Sequence, residues 1–151
     1  MVRRVRRKDS KVFVEVYLRA YKGLEEYSYT RKRDVKRYFS WLLSRDPEGF
    51  FLYELEGEAL GFIASDSRWF SHFEEREIGE IHELFVDPLR RRMGIGSSLL
   101  RVSLRYLASK GRKEVGLWVG SENRIAKEFY SKMGFSEVGK WGIWTRMRKS
   151  L

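Results

Sequence analysis

Residues 91–97 read Arg-Arg-Met-Gly-Ile-Gly-Ser. They stand between a run that reads as a strand, Ile78 to Val86, and a run with helical periodicity, Gly94 to Lys110. A turn of this composition suits a phosphate. The first N–H groups of a helix have no partner within it, and the helix dipole favours negative charge at that end. Gly94 and Gly96 carry no Cβ, so a ligand can approach the backbone closely. Arg90, Arg91 and Arg92 add long-range attraction for an anion. Just upstream, Glu80, His82 and Glu83 are titratable side chains on the preceding strand. A carboxylate or an imidazole there could take a proton from an incoming nucleophile.

The spacing argues against two other phosphate loops. Gly-x-x-x-x-Gly-Lys is absent, which removes a nucleoside-triphosphate loop. Leu99 stands at the third position of Gly-x-Gly-x-x-Gly, which disfavours a dinucleotide turn. The run does fit Arg/Gln-x-x-Gly-x-Gly/Ala, as Arg91-Arg92-Met93-Gly94-Ile95-Gly96. Further on, Leu117 to Phe135 gives a strand, a Gly-Ser-Glu-Asn turn, a short helix that Ser121 or Asn123 can cap, and a Gly134-Phe135 exit. Together the two stretches resemble the pyrophosphate loop and the Leu-x-Val-x-x-x-Asn-x-x-Ala-x-x-x-Tyr-x-x-x-Gly-Phe segment of the GCN5-related N-acetyltransferases. The resemblance is firm over residues 78–135 and loose before residue 50.

Periodicity supplies the elements that position these groups. Residues 2–8 suggest a first strand. Asp9-Ser10 can cap a helix carrying Phe13, Val16, Tyr17, Ala20, Tyr21 and Leu24, and Thr30 a second carrying Val35, Tyr38, Phe39, Leu42 and Leu43. Phe50–Leu55 and Ala59–Ala64 flank Glu56-Gly57-Glu58 as a hairpin, and Ser65 to Arg76 reads as a loop. Ile78–Val86, a helix from Gly94 to Lys110, a strand Glu114–Val119 and a helix Asn123–Met133 follow. Two last strands cover Ser136–Gly139 and Ile143–Arg148. This order is that of the acetyltransferase family. It implies an α/β fold, one domain over residues 1–151, with a twisted mixed sheet of about seven strands and helices on both faces.

The resemblance also implies a chemistry. Acetyl-coenzyme A would enter between the strands Ile78–Val86 and Glu114–Val119. The backbone of Leu84 and Val86 would pair with its pantetheine arm, and the N–H of Leu84 or Phe85 would face the thioester oxygen. Arg91, Arg92, Met93, Gly94, Ile95, Gly96 and Ser97 would hold the pyrophosphate. Asn123 would touch the arm, and Lys127, Arg124 or Arg101 would meet the 3′-phosphate. Tyr130 would act as the acid beside the sulfur. Glu80 ranks first as base, because its distance before Val86 matches that of the glutamate in lysine-modifying members; His82 and Glu83 remain candidates. Period-two counting puts Glu80, His82 and Leu84 on one face and Glu83 with Ile81 and Phe85 on the other, and a bulge would reverse that count. Arg92 replaces a glycine common in the family, which is compatible if its φ stays negative. Tyr21, Tyr27, Tyr29, Trp69 and Phe73 are either acceptor-pocket or core aromatics.

Composition sets the outer limits. The chain has 151 residues, 42% of them hydrophobic and 15% aromatic, enough for one substantial core. It has no cysteine and two histidines, so neither a thiolate nucleophile nor a metal cluster is expected. No apolar run is long enough to span a membrane, and no apolar leader follows the basic residues 3–8, which points to the cytoplasm. A net charge of +10 favours anionic partners: coenzyme A, RNA or an acidic protein face. The expected function is transfer of an acetyl group from acetyl-coenzyme A to a primary amine, by direct attack in a ternary complex. The amine could be a protein N-terminus, a lysine or a small molecule. The rival readings are a basic RNA- or ribosome-binding protein, resting on residues 3–8, 31–33 and 90–92, and a coenzyme A-binding module without catalysis. A homodimer is compatible with the sequence.

Overall fold

Apolar side chains alternate along the central strands, so each strand feeds two cores at once. A computed structural model describes residues 1–151. It has strands β1 (Val2–Arg4), β2 (Phe50–Leu55), β3 (Glu58–Ser71), β4 (Arg76–Val86), β5 (Glu114–Gly120), β6 (Ser136–Trp141) and β7 (Trp144–Ser150). The helices are α1 (Ser10–Ala20), α2 (Lys32–Arg45), α3 (Ile95–Ser109) and α4 (Arg124–Lys132). One sheet holds all the strands, in the order β1-β2-β3-β4-β5-β7-β6. Only β4 and β5 pair in parallel, joined by the α3 crossover.

Phe50 and Leu52 point to one face with Phe62 and Phe85, where α1 and α2 lay Phe13, Val16, Tyr17, Val35 and Phe39 over them. Phe51 points to the other face with Leu60, Ile63, Ile81 and Leu117, beneath Leu99, Leu100, Leu107 and Tyr130 of α3 and α4. Each fully buried Phe or Leu contributes about 1.5–3 kcal/mol. The mixed sheet with helices on both faces is the architecture expected. No helix is long and apolar enough to cross a membrane.

Four local expectations are corrected. The first strand is only Val2–Arg4. Asp9 is buried and accepts from Arg3 at 2.9 and 3.0 Å and from the Arg6 amide at 2.7 Å, which turns the chain. The helix expected to reach Leu24 ends at Ala20, and α2 begins at Lys32 with Arg31 at its cap in place of Thr30. The supposed loop 65–76 is mostly strand, because β3 continues to Ser71. Ser65, Asp66 and Ser67 are buried and satisfied. Ser65 donates to the Gly49 carbonyl at 2.6 Å, Asp46 accepts from Ser67, and Asp66 accepts from Arg45. A strand that buries polar side chains loses the apolar alternation by which strands are recognised.

The pairing of β3 with β4 slips at two points, one between Ala64 and Ser65 and one between Asp66 and Trp69, and the first of them sets the site. Ala64 faces Glu83 and Ser65 faces Ile81, so His82 is an extra residue on β4. This is the bulge that reverses the face count.

Candidate active site

The pairing of β4 with β5 runs only from Gly79–Val115 to Ile81–Leu117, and then the strands part. Beyond that point β4 stays paired to β3 as far as Val86, while β5 stays paired to β7 as far as Gly120. The edge of β4 that faces β5 therefore has no strand partner from His82 to Val86. A cleft of about 980 Å³ opens at this fork. Leu84, Leu117, Val119, Asn123 and Tyr130 line one part, and Tyr21, Tyr38, His82 and Glu83 line another.

Glu83 is the buried carboxylate of the cleft. The phenol of Tyr38 donates to its Oε1 at 2.8 Å, and the phenol of Tyr21 donates to Oε2. Burial pushes the Glu83 carboxyl up to about 7, against the pull of the two phenols. It is therefore poised between its two protonation states near neutrality.

His82 is held beside it. Its Nε2 lies 2.9 Å from Asp66 Oδ2, and its ring sits edge-to-face against Trp41 and Trp69. Burial opposes the charge of Asp66, but hydrogen bonds from His82 and Arg45 outweigh it and bring the carboxyl down to about 2. An ionised carboxylate only accepts, so Nε2 carries the hydrogen.

Glu80, the first-ranked base on sequence, does not line the cleft. The Arg146 guanidinium donates to both of its oxygens, at 2.7 and 2.8 Å. Arg146 is fully buried, bonds Glu74 at 2.9 Å as well, and lies over the Trp118 ring. Burial works against its charge, yet the two carboxylates hold it above the ordinary arginine range. The geometry thus moves the candidate base from Glu80 to Glu83, which the bulge brings to the α1–α2 face beside His82.

Tyr130 packs its ring between Phe129 and Phe135, at 5.3 and 5.6 Å, and reaches the cleft. Burial pushes its phenol up, so it keeps its proton at neutral pH.

The phosphate loop is built from both ends. Asp87 is buried, accepts from the Leu89 amide at 3.1 Å and from Arg19 at 2.8 Å, and starts the turn. Ile95 is buried in the core and anchors the far side, while Arg91, Arg92 and Met93 remain exposed. Gly94 has φ +73° and opens α3, whose first turn carries no side-chain cap and no acidic residue. The orphan N–H groups are left for an anion. Arg92 has φ +70°, contrary to the expected negative value. An L-residue there bears about 1–2 kcal/mol that glycine would not.

Asn123 Oδ1 accepts from the Ala126 amide at 3.3 Å and caps α4, and the residue lines the cleft. Lys127 ion-pairs with Glu137 at 3.4 Å and lines a second, polar hollow with Arg124. Ser97 is half-buried in the first turn of α3, and Arg101 is exposed on that helix. No group of three or more side chains is arranged to hold a metal. Sequence reasoning missed Asp66 and Arg146. Tyr38 was legible only as part of the apolar stripe of α2, since nothing local shows which carboxylate its hydroxyl meets.

Residues 13–135 match the model of the acetyltransferase (GNAT) family. The chain belongs to this family. It is 52% identical over 130 residues to an uncharacterized N-acetyltransferase of Archaeoglobus fulgidus, covering 86% of this chain and 88% of that one. Among solved structures, PH1933 from Pyrococcus horikoshii OT3 superposes with a TM-score of 0.91 at 36% identity, covering 100% of this chain and 98% of the other. The PaiA N-acetyltransferase of Thermoplasma acidophilum, solved in complex with coenzyme A, has a TM-score of 0.80 at 20% identity over 100% and 98% of the two chains. That last likeness is one of fold. In this GNAT acetyltransferase Asn123, Ala126 and Tyr130 line the fork, and the loop 91–97 follows β4 and comes near α4 where Gly96 faces the Phe129 ring.

Proposed function

We propose that the protein transfers the acetyl group of acetyl-coenzyme A to a primary amine held in the cleft, with Glu83 as the base. The observation that carries this is the fork, an unpaired edge of β4 beside a buried carboxylate poised near neutrality, with an uncapped helix N-terminus following the same strand. Residues of each kind fit the coenzyme. The amides of Gly96 and Ser97, with Arg91 and Arg92, suit a pyrophosphate. The free β4 edge at Leu84 and Val86 suits the pantetheine amides, as an added strand would. Asn123 offers its NH₂ to the same arm. Arg124 and Lys127, in the hollow of about 350 Å³, offer positive charge to the 3′-phosphate.

Acetyl-coenzyme A supplies a thioester whose carbonyl carbon accepts the amine and whose sulfur leaves. Glu83 takes the proton from the amine nitrogen onto its carboxylate, a task worth about 10²–10⁴ in rate for a positioned base. Tyr21 and Tyr38 hold that carboxylate in place. An N–H at Leu84 or Phe85 donates to the acetyl oxygen, where a single such donor is worth about 2.7–4 kcal/mol. Tyr130 gives its phenolic proton toward the sulfur. His82 keeps its Nε2 on Asp66 and serves as a support for Glu83.

The RNA-binding reading has less to stand on. Arg3 is committed to Asp9 and Glu54, and Arg90 pairs with Glu58. Calorimetric titration with acetyl-coenzyme A, with ATP and a short RNA as controls, tests the proposal. One-site saturation by acetyl-coenzyme A alone supports it. Salt-sensitive RNA binding with no coenzyme binding would replace it.

A further inference from the structure

The outer half of the cleft is built from aromatic rings resting on bare backbone. A side chain at Gly120 of β5 would overlap the Tyr27 ring, and one at Gly139 of β6 would overlap the Phe73 ring. Both strands give up a side chain so that a ring can lie against them. Tyr27 is fixed further by the Glu122 amide, which donates to its hydroxyl at 3.0 Å, and by Trp144 at 5.4 Å between ring centres. Phe73 meets Trp118 edge-on at 5.6 Å. Trp141, at the tip of the β6–β7 hairpin, is 76% exposed and completes the rim.

The charges around this collar are few. Of the 22 residues lining the cleft, 15 are hydrophobic and none is Lys or Arg. The carboxylates are Glu83, spent on the reacting amine, and Glu26, which is exposed. A second ammonium on the acceptor would leave water with no buried counter-charge. A carboxylate beside the amine would meet no Lys or Arg, and of the two lining imidazoles His82 already bonds Asp66. The net charge of +10 also repels polycations before they arrive. Ring faces, in contrast, bury apolar groups and tolerate the one ammonium that passes them toward Glu83.

We infer that the acceptor is a primary amine bearing an aromatic or branched apolar group, with no second cation and no free carboxylate beside it. This rests on the acetyltransferase reading above. The same chemistry occurs in free apolar amines and in the first residue of a peptide.

The test is a thiol-release assay on the full chain at saturating acetyl-coenzyme A, preceded by calorimetric titration of the coenzyme. The acceptors are 2-phenylethylamine, phenylalaninamide, a phenylalanine-initiated peptide whose only amine is its N-terminus, free phenylalanine, spermidine and an Nα-blocked lysine. The apolar amines should exceed spermidine, blocked lysine and free phenylalanine in kcat/KM by tenfold or more. The ratio of peptide to phenylethylamine distinguishes the two sources. Trp141→Ala and Phe73→Ala should raise KM for the best apolar acceptor at least fivefold and leave coenzyme affinity unchanged. Preference for spermidine or blocked lysine, coenzyme binding without turnover of any apolar amine, or an unchanged KM in both variants would overturn the inference. Absence of coenzyme binding would defeat the underlying acetyltransferase reading instead.

Discussion

Asp66 accepts the Nε2 hydrogen of His82 at 2.9 Å, from the strand across the ladder, and His82 is the residue inserted on β4 between the Ala64–Glu83 and Ser65–Ile81 pairs. The pair pins the bulge. Because His82 is extra, Glu83 is turned to the face where Tyr21 and Tyr38 wait for it. Tyr38 closes the arrangement, since its hydroxyl lies 3.3 Å from the His82 carbonyl as well as 2.8 Å from Glu83.

Asp66→Asn keeps the shape but weakens the bonds to His82 and Arg45. A hydrogen bond to a charged group is worth about 1.5–3 kcal/mol, so the denaturation midpoint should fall by a corresponding amount. The functional prediction is a lower kcat with unchanged affinity for acetyl-coenzyme A. A wild-type kcat would show that the bulge stands without its anchor.

Glu83 should also govern stability near neutrality. Its carboxyl is raised from 4.5 to about 7 in the folded chain, so the native state binds more protons than the unfolded one across that window. Stability from this group is present below the unfolded value and is lost as pH rises through 7. At about 1.4 kcal/mol for each tenfold change in proton affinity, the loss between pH 4.5 and pH 8 is about 3 kcal/mol. Glu83→Gln removes it, so urea unfolding of the variant should lack this decline. A decline equal to that of the parent protein would place the raised group elsewhere.

Tyr38→Phe deletes one of the two phenols that favour the charged form of Glu83. With about 1.5–3 kcal/mol at stake and about 1.4 kcal/mol per pH unit, the rising limb of the pH–rate curve should move one to two pH units toward alkaline pH. The variant should remain folded, since the ring stays in place. An unmoved limb would exclude Tyr38 from setting the base.

Gly96 offers a clean probe of the phosphate loop. A Cβ there would meet the Phe129 ring at 3.5 Å, an ordinary contact, and the residue lies in the first turn of α3. Gly96→Val should therefore fold while crowding the amides that face the pyrophosphate. Affinity for acetyl-coenzyme A should drop about tenfold or more, which corresponds to about 1.4 kcal/mol. Undiminished affinity would move the pyrophosphate away from this turn.

Much of the fold was legible because its signals are local. The Gly94–Gly96 turn, the Asn123 cap and the Leu117–Phe135 motif each sit within one short stretch of chain, and they point to the fork. Three features were not legible, for one reason: each depends on a partner distant in sequence. The Ser65–Ser71 half of β3 hides as a loop because Arg45, Asp46 and Gly49 satisfy its polar groups. Glu80 looks free until Arg146, on β7, is folded beside it. The choice between Glu80 and Glu83 turns on a single inserted residue in a ladder, which leaves no mark in the composition of β4.

The most direct test of the account is kcat/KM against pH from 5 to 9, with the best amine acceptor, for the parent protein and for Glu83→Gln. The parent curve should rise with a midpoint near 7 and level off above it, and the variant should be at least a hundredfold slower with that midpoint gone. A Glu83→Gln variant with the parent curve and rate would contradict a base at Glu83.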